Sequence, residues 1–593
     1  MVLRKTVLLG LFIAVLPFCS KAERVCVYSQ AQFDEVVERI NSGEEMEVRL
    51  AKNTFVLNKR IKATAPLSII GRHTIITCYD ECFDSKYANR EEGEYYLFEL
   101  SAGITPYSLF FDKTGNIVEV SETVDEVLGV NLTDVIVADK IYKAGTAVRI
   151  PVPENLRHLK NHHFEKAFGY FDCGWQVVNF LLEKADEKYL YCKTLNNCRT
   201  GNYYFDKSVY KKPIRFVLYN VEKTSGTVFY DERHLYVPKN IGTVYVLNGA
   251  YYNSNPNIIA NSDFSMEGLR FVGMRGVEVN SKASTRCEIR NCEFKNSLGC
   301  ALKIIRHNDR SIREAKVDNC VFKDCSLFSG DMMSLESPYQ GGNYISVKNC
   351  ILARYSENNV NYKNPEGGIW VRGNVTLTGN EVYNTPRCHL YFNQGVIVAR
   401  GNVLYNTDEF NAQTYRNISS DWGLVYCNHI FTDTQEALEN KEHQILLENN
   451  LLYGAYTYGN FARGIYIDDG RGDVECRNNI ILNTESYSMD SRNVSASSSV
   501  RNRYVGNIVS SNYQLIAGKS VNEDNMPITS GNILLDSRDN QTAGIKIVEN
   551  DSRLELDTKC FCKEGKVFVS KDLYKRLKKS AAWRGVKRHV SKK

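Results

Sequence analysis

Proline is scarce, with 12 among 593 residues, which excludes long proline-rich linkers; 36 Tyr and 26 Phe favour strands instead. Past the N-terminus no apolar run approaches the ~20 residues that a bilayer-spanning helix needs. An excess of one charge is missing from the body. The formal net charge is +5, but residues 571–593 hold ten Lys/Arg against one acid, Asp572. That tail of +9 leaves −4 for residues 1–570, so the body is not a basic nucleic-acid binder. The tail reads as a solvated terminal charge run. With 43% hydrophobic and 24% charged residues the chain is neither disordered nor collagen-like. Its length allows three or four domains, or one long repeat with an insertion.

Cysteine is plentiful but not paired. Of 18 cysteines, Cys19 falls in the N-terminal segment and leaves an odd number. Cys292, Cys320 and Cys350 recur at one repeated position, which suits free, buried thiols better than a disulfide framework. Cys78…Cys82 and Cys560-Phe561-Cys562 are too isolated for a zinc site, and no metal or cofactor is expected. Arg4 and Lys5 precede an apolar run from Val7 to Phe18, and Ser20-Lys21-Ala22 gives a small-x-small cleavage pattern. Residues 1–22 are thus expected to be an export signal, with Glu23 as the first mature residue. Bulky Phe18 before Cys19 argues against a lipoprotein signal.

A short pattern recurs from about residue 265: Asn or Gly, then Asn or Cys, then alternating or apolar residues. It reads Asn291-Cys292-Glu293-Phe294, Asn319-Cys320-Val321-Phe322, Asn349-Cys350-Ile351-Leu352, Gly379-Asn380-Glu381-Val382, Gly401-Asn402-Val403-Leu404, Asn449-Asn450-Leu451-Leu452, Asn478-Asn479-Ile480-Ile481 and Gly506-Asn507-Ile508-Val509. The second position steps by 28, 30, 30, 22, 48, 29 and 28 residues. Such a period without helical patterning predicts a β-solenoid. Asn tolerates the left-handed backbone of a corner, and equivalent Asn side chains can bond along a stack. The expected fold is all-β, a right-handed parallel β-helix. Gln32–Ile40, with Phe33, Val36, Val37 and Ile40 on one face, predicts a helix that caps the open end. The expected division is an N-terminal cap with first coils at 23–100, an inserted β-rich domain at 101–240, the β-helix at 241–545 and the basic tail at 546–593.

Four segments share a further pattern: Gly368-Ile369-Trp370-Val371-Arg372, His389-Leu390-Tyr391-Phe392, Gly423-Leu424-Val425-Tyr426 and Gly464-Ile465-Tyr466-Ile467-Asp468. Alternation places Ile465 and Ile467 inward, and Tyr466 and Asp468 outward. The expected outward ladder is Trp370, His389, Tyr426 and Tyr466, with Arg372 beside it and Asp421 at the entrance of one strand. Rings stack on sugar C–H faces and carboxylates act on the glycosidic oxygen, so this composition points to a carbohydrate site.

At these residues the chain resembles exported bacterial β-helix proteins close to glycoside hydrolase family 141. Asp421-Trp422-Gly423-Leu424-Val425-Tyr426 is similar to an Asp-x-Gly-Ala-Ile-Tyr element, and Gly464-Ile465-Tyr466-Ile467-Asp468-Asp469-Gly470 to a Gly-Ile-Tyr-Leu-Asp-Asp-Gly element. Asn384-Thr385-Pro386-Arg387-Cys388-His389 resembles the group's Pro-His coil. Phe229-Tyr230-Asp231-Glu232-Arg233-His234-Leu235-Tyr236-Val237-Pro238 resembles its exit from an inserted domain. The resemblance implies fucosidase- or xylan-cleaving activity with Asp421 and Asp468 as the catalytic pair; Trp370, Arg372, His389, Tyr426 and Tyr466, read from the ladder, are the expected substrate contacts. With Gly423 over Gly464 the two acids are offset by about six residues, ~20 Å along a strand. A glycosidase pair needs ~5–9.5 Å. Either the chain bends at Trp422, or Asp433, Asp469 or His389 takes the place of Asp421. Polysaccharide elimination on the same fold, and a non-catalytic glycan-binding or adhesive surface protein, are the competing functions. The expected partner is a polysaccharide or glycan met by a monomer, without nucleic acid and without a membrane span.

Overall fold

The repeated dipeptide turns the chain by local chemistry. Its first residue adopts a left-handed backbone, with φ of 52° at Asn291, 53° at Asn319 and Asn349, 63° at Gly379 and 56° at Asn449. Only Gly and Asn enter that region cheaply, which is why the position alternates between them. The second residue then points inward. Each corner therefore ends one strand and starts the next on a new face.

The computed structural model describes residues 22–534 apart from several internal stretches, the longest being 128–140, 200–213, 354–366, 407–422, 429–443 and 510–527, together with strands Arg553–Glu555 and Phe568–Ser570. The expected export signal, the basic tail from residue 571, and Asp421, Trp422, Asp433 and Asp469 lie outside the described residues.

The molecule is a parallel β-helix with three faces. A 23-stranded sheet contains two of them, joined by the 11-residue strands Leu67–Thr77 and Phe264–Met274, which continue around the corner from one face to the next. The third face is a ten-stranded parallel sheet running from Ile61–Ala63 to Tyr487–Ser491. Equivalent side chains stack along the axis inside. Phe271, Phe294 and Phe322 place their rings 5.4 and 4.7 Å apart, tilted by only 12° and 6°. One continuous apolar core runs from Val27 to Val509.

Stacking of the second dipeptide position is polar yet fully satisfied. Cys292, Cys320 and Cys350 are free, buried thiols that donate to the carbonyls of Arg290, Asp318 and Lys348 at 3.2, 3.3 and 3.2 Å. The stack then changes to asparagine, because Asn380 Oδ1 accepts from the Cys350 amide at 3.0 Å. Asn402 shows the full pattern. Its Oδ1 accepts from Asn380 N and Nδ2, both at 3.0 Å, and its Nδ2 donates to Asn450 Oδ1 at 3.0 Å and to the Leu377 carbonyl at 3.1 Å. The same arrangement repeats through Asn450, Asn479 and Asn507 to Asn532. Asn380 and Asn402 sit on adjacent rungs, as their strands pair Glu381 with Val403.

The N-terminal end is covered by helix Gln30–Asn41. Ser29 caps it by accepting from Gln32 N, and Phe33, Val36, Val37 and Ile40 are buried, with Phe33 4.9 Å from Phe55. The helix packs on the strands of the first coil and covers their open edge. Between Thr77 and Ile258 the stacked parallel strands give way to antiparallel pairing. A six-stranded antiparallel sheet forms from Glu122–Val127, Ala147–Pro151, Phe168–Asp172, Val177–Ala185, Tyr189–Thr194 and Ile214–Tyr219. It has a separate aromatic core, including Tyr107, Phe110, Phe168 and Tyr230, which reaches the solenoid at Leu298 and Leu327. Among the described residues no helix is long and apolar enough to cross a membrane.

Candidate functional site

The late coils of the third face carry the strands Ile369–Arg372, Leu390–Phe392, Val425–Asn428, Arg463–Asp468 and Tyr487–Ser491. Each alternates. Ile369, Val371, Leu390, Phe392, Val425, Cys427, Ile465 and Ile467 join the central core, so the residues between them face outward. Backbone register aligns Ser334, Trp370, Tyr391, Tyr426, Tyr466 and Asp490 in one outward row. Successive ring centroids from Trp370 to Tyr466 are 6.4, 5.0 and 5.4 Å apart.

The row is graded in exposure. Trp370 and Tyr391 are half-buried, whereas Tyr426 and Tyr466 are only 5% and 8% exposed. These two tyrosines form, with Cys388, a small apolar cluster separate from the core, against which Tyr391 packs. Two residues further along each strand runs a second, polar row. It pairs Glu336 with Arg372 and, two coils on, Asn428 with Asp468. Arg372 is exposed. The rows are ~7 Å apart along a strand and the coils ~4.8 Å apart, so Asp468 lies diagonally about 8 Å from Asp490, Cα to Cα.

The structure corrects the expected ladder in two places. His389 is not in it. It occupies the position before its strand that Gly368 and Gly464 hold on other coils, and there it is fully buried. Its Nε2–H donates to the Tyr405 carbonyl at 2.8 Å and Nδ1 lies 3.1 Å from Thr385 Oγ1. Burial lowers its pKa to about 4, partly opposed by the bond to Tyr405, so the ring is neutral near pH 7. Tyr391 fills the ladder instead. The second correction is one of register: Val425 pairs with Ile465, which sets Gly423 above Arg463 rather than Gly464. The two glycines answer different needs. Gly423 has φ of 97°, whereas a Cβ at Gly464 would lie 2.4 Å from Ile481 Cγ2 and 2.6 Å from the Ser488 carbonyl. Asp468 consequently pairs with Asn428, seven positions after Asp421.

Three features were not read from the sequence. Asp490 extends the outward row by one coil; the alternation Tyr487-Ser488-Met489-Asp490 carries that signal. Arg463 Nε donates to Asp490 Oδ2 at 2.5 Å, with both side chains buried, and its guanidinium lies 4.0 Å from the Tyr466 ring centroid. Around the corner, the buried Glu381 accepts from the Tyr405 hydroxyl at 3.0 Å. Among the described residues no group of three or more His, Cys, Asp or Glu is placed to hold a metal ion.

No family model matches the chain, and no curated protein does. Among solved structures, the chain is similar to one described as a glycoside hydrolase, with 10% identity, 87% of this chain and 94% of that one covered, and a TM-score of 0.49. It is also similar to XylC, solved with xylose, at 9% identity over 79% of this chain and 64% of that one, with a TM-score of 0.34. The catalytic unit of a thermostable GH87 α-1,3-glucanase from Streptomyces thermodiastaticus strain HF3-3 is 8% identical, with 73% and 97% covered and a TM-score of 0.19. These are distant likenesses, and none identifies a substrate.

Proposed function

We propose that this chain is an exported glycoside hydrolase that cleaves a polysaccharide or complex glycan on the late coils of the third face, in the manner of the fucosidases and xylan-cleaving enzymes it resembles. The observation that supports this most is the outward aromatic row from Trp370 to Tyr466, with a row of polar residues two register positions further along the strands, from Glu336 and Arg372 to Asn428 and Asp468. Half-exposed rings offer stacking surfaces to sugar C–H groups, and Arg372 offers hydrogen-bond donors beside them. In this reading Asp468 is one catalytic carboxylate and Asp421 the other. One protonates the leaving glycosidic oxygen; its partner acts as nucleophile or activates water at the anomeric carbon.

Purified protein incubated with fucosylated glycans, xylans, pectins and glycosaminoglycans is expected to release new reducing ends without ultraviolet absorbance from a new C=C bond. Asp468→Asn is expected to fold and to abolish that release. Absorbance at the non-reducing end would make the protein a lyase, and binding without turnover an adhesin; either result rejects the proposal. Asp421→Asn, Asp433→Asn and Asp469→Asn decide the partner. N-terminal sequencing of the secreted protein should begin at Glu23.

A further inference from the structure

The Arg463–Asp490 ion pair calls for an explanation beyond stability. Its side chains are 5% and 1% exposed. Desolvating two charges costs about as much as their attraction returns, and well-packed apolar residues usually serve a core better. The pair also sits outside the solenoid interior, against the aromatic row. Asp490 is the rung after Tyr466, and the guanidinium it holds lies over the Tyr466 ring at 4.0 Å. A planar guanidinium anchored through Nε has little freedom, so the ring it covers is fixed in plane as well as in place. Asp468 follows Tyr466 by two residues on the same strand.

We propose that Arg463 and Asp490 are positioning residues that lock the Tyr466 ring, and that this lock holds the wall of the glycan site beside Asp468. The first half stands on geometry alone; the second rests on the glycoside hydrolase reading. Asp490 anchors Arg463, Arg463 covers one face of Tyr466, and Tyr426 closes the ring in at 5.4 Å from the preceding coil.

The two halves are tested separately. First, the full chain is prepared with ring-¹³C tyrosine and the two ε positions of Tyr466, assigned by their loss in Tyr466→Phe, are followed by NMR. A locked ring gives two resonances in slow exchange. Asp490→Asn, and the charge-free double variant Arg463→Met/Asp490→Leu should the single variant not fold, are expected to merge them into one averaged line. An unchanged pair of lines overturns the lock. Second, kcat and KM are measured for Asp490→Asn, Tyr466→Ala and both together on the substrate found by screening. Each single variant is expected to raise KM about tenfold or more, and the double variant to be no worse than Tyr466→Ala, since the ion pair acts through that ring. Losses that multiply, or a lowered melting temperature with unchanged KM, overturn the positioning role. Merged lines in a protein that turns over no glycan uphold the lock and reject the glycoside hydrolase reading instead.

Discussion

Replacing Asn402 by alanine tests whether the buried amide stack is the axial spine of the solenoid. The substitution removes four hydrogen bonds: two accepted from Asn380, one donated to Asn450 and one to the Leu377 carbonyl. Their partners are not equally affected. Asn380 Nδ2 keeps the Val347 carbonyl at 3.1 Å, and Asn450 Oδ1 keeps the backbone amide of residue 402 at 2.9 Å. The Asn380 backbone N–H loses its acceptor inside a buried wall. A buried donor left without a partner costs about 1–3 kcal/mol, and each of the three further lost bonds about 0.5–1.5 kcal/mol, so the variant should lose about 2.5–7.5 kcal/mol. Asn402→Asp keeps both accepted bonds but sets a carboxylate against Asn450 Oδ1 and a carbonyl, and should be no more stable. Asn532→Ala, at the half-buried end of the stack where water replaces the lost partners, should cost about 1–2 kcal/mol. Guanidinium unfolding gives the global value, and hydrogen exchange of the peptide containing the Asn380 amide gives the local one. An Asn402→Ala protein within about 1 kcal/mol of the parent, with unchanged Asn380 exchange, would show that the stack aligns the coils without holding them.

If Asp468 is a catalytic carboxylate, Asp468→Asn should melt within about 1 °C of the parent, a change within about 0.5 kcal/mol, while activity falls by orders of magnitude; full activity on the screened substrate removes Asp468 from the mechanism. His389, lowered from 6.5 to about 4 by burial, gives stability that is complete above pH ~6.5 and is lost as pH falls toward 4, because the unfolded chain then binds the extra proton. The loss is on the order of 3 kcal/mol, and unfolding midpoints from pH 7 to 4 should flatten in His389→Gln; an equal slope in both proteins contradicts the burial argument. Cys292, Cys320 and Cys350 should map as free thiols by non-reducing peptide mass analysis and resist alkylation in the native state. The hydrogen bond with Cys320 and then burial push the Cys292 thiol well above its ordinary value, and a mapped bridge between any two of the three refutes this.

The parallel β-helix and the positions that stack in it are legible from the residues alone. Both are local properties. A left-handed corner admits Gly or Asn, an inward polar residue must find partners on equal rungs, and two-residue alternation decides which side of a strand is core. Those constraints recur with each coil, so Asn380, Asn402, Asn450, Asn479 and Asn507 are recognisable by spacing, and the capping helix by its apolar face. Register between coils follows instead from packing across the whole solenoid. Gly423 and Gly464 look equivalent as letters, yet one accommodates a left-handed backbone and the other a close side chain, and they lie one residue out of step. His389 stands two residues before Tyr391, at the pre-strand position that Gly368 and Gly464 hold on other coils, so it is buried there and Tyr391 completes the row. The same holds for the buried Arg463–Asp490 pair. Its partners are 27 residues apart and meet only because the coils superimpose, and burial of charge is a property of what surrounds a side chain, which no spacing along the chain encodes.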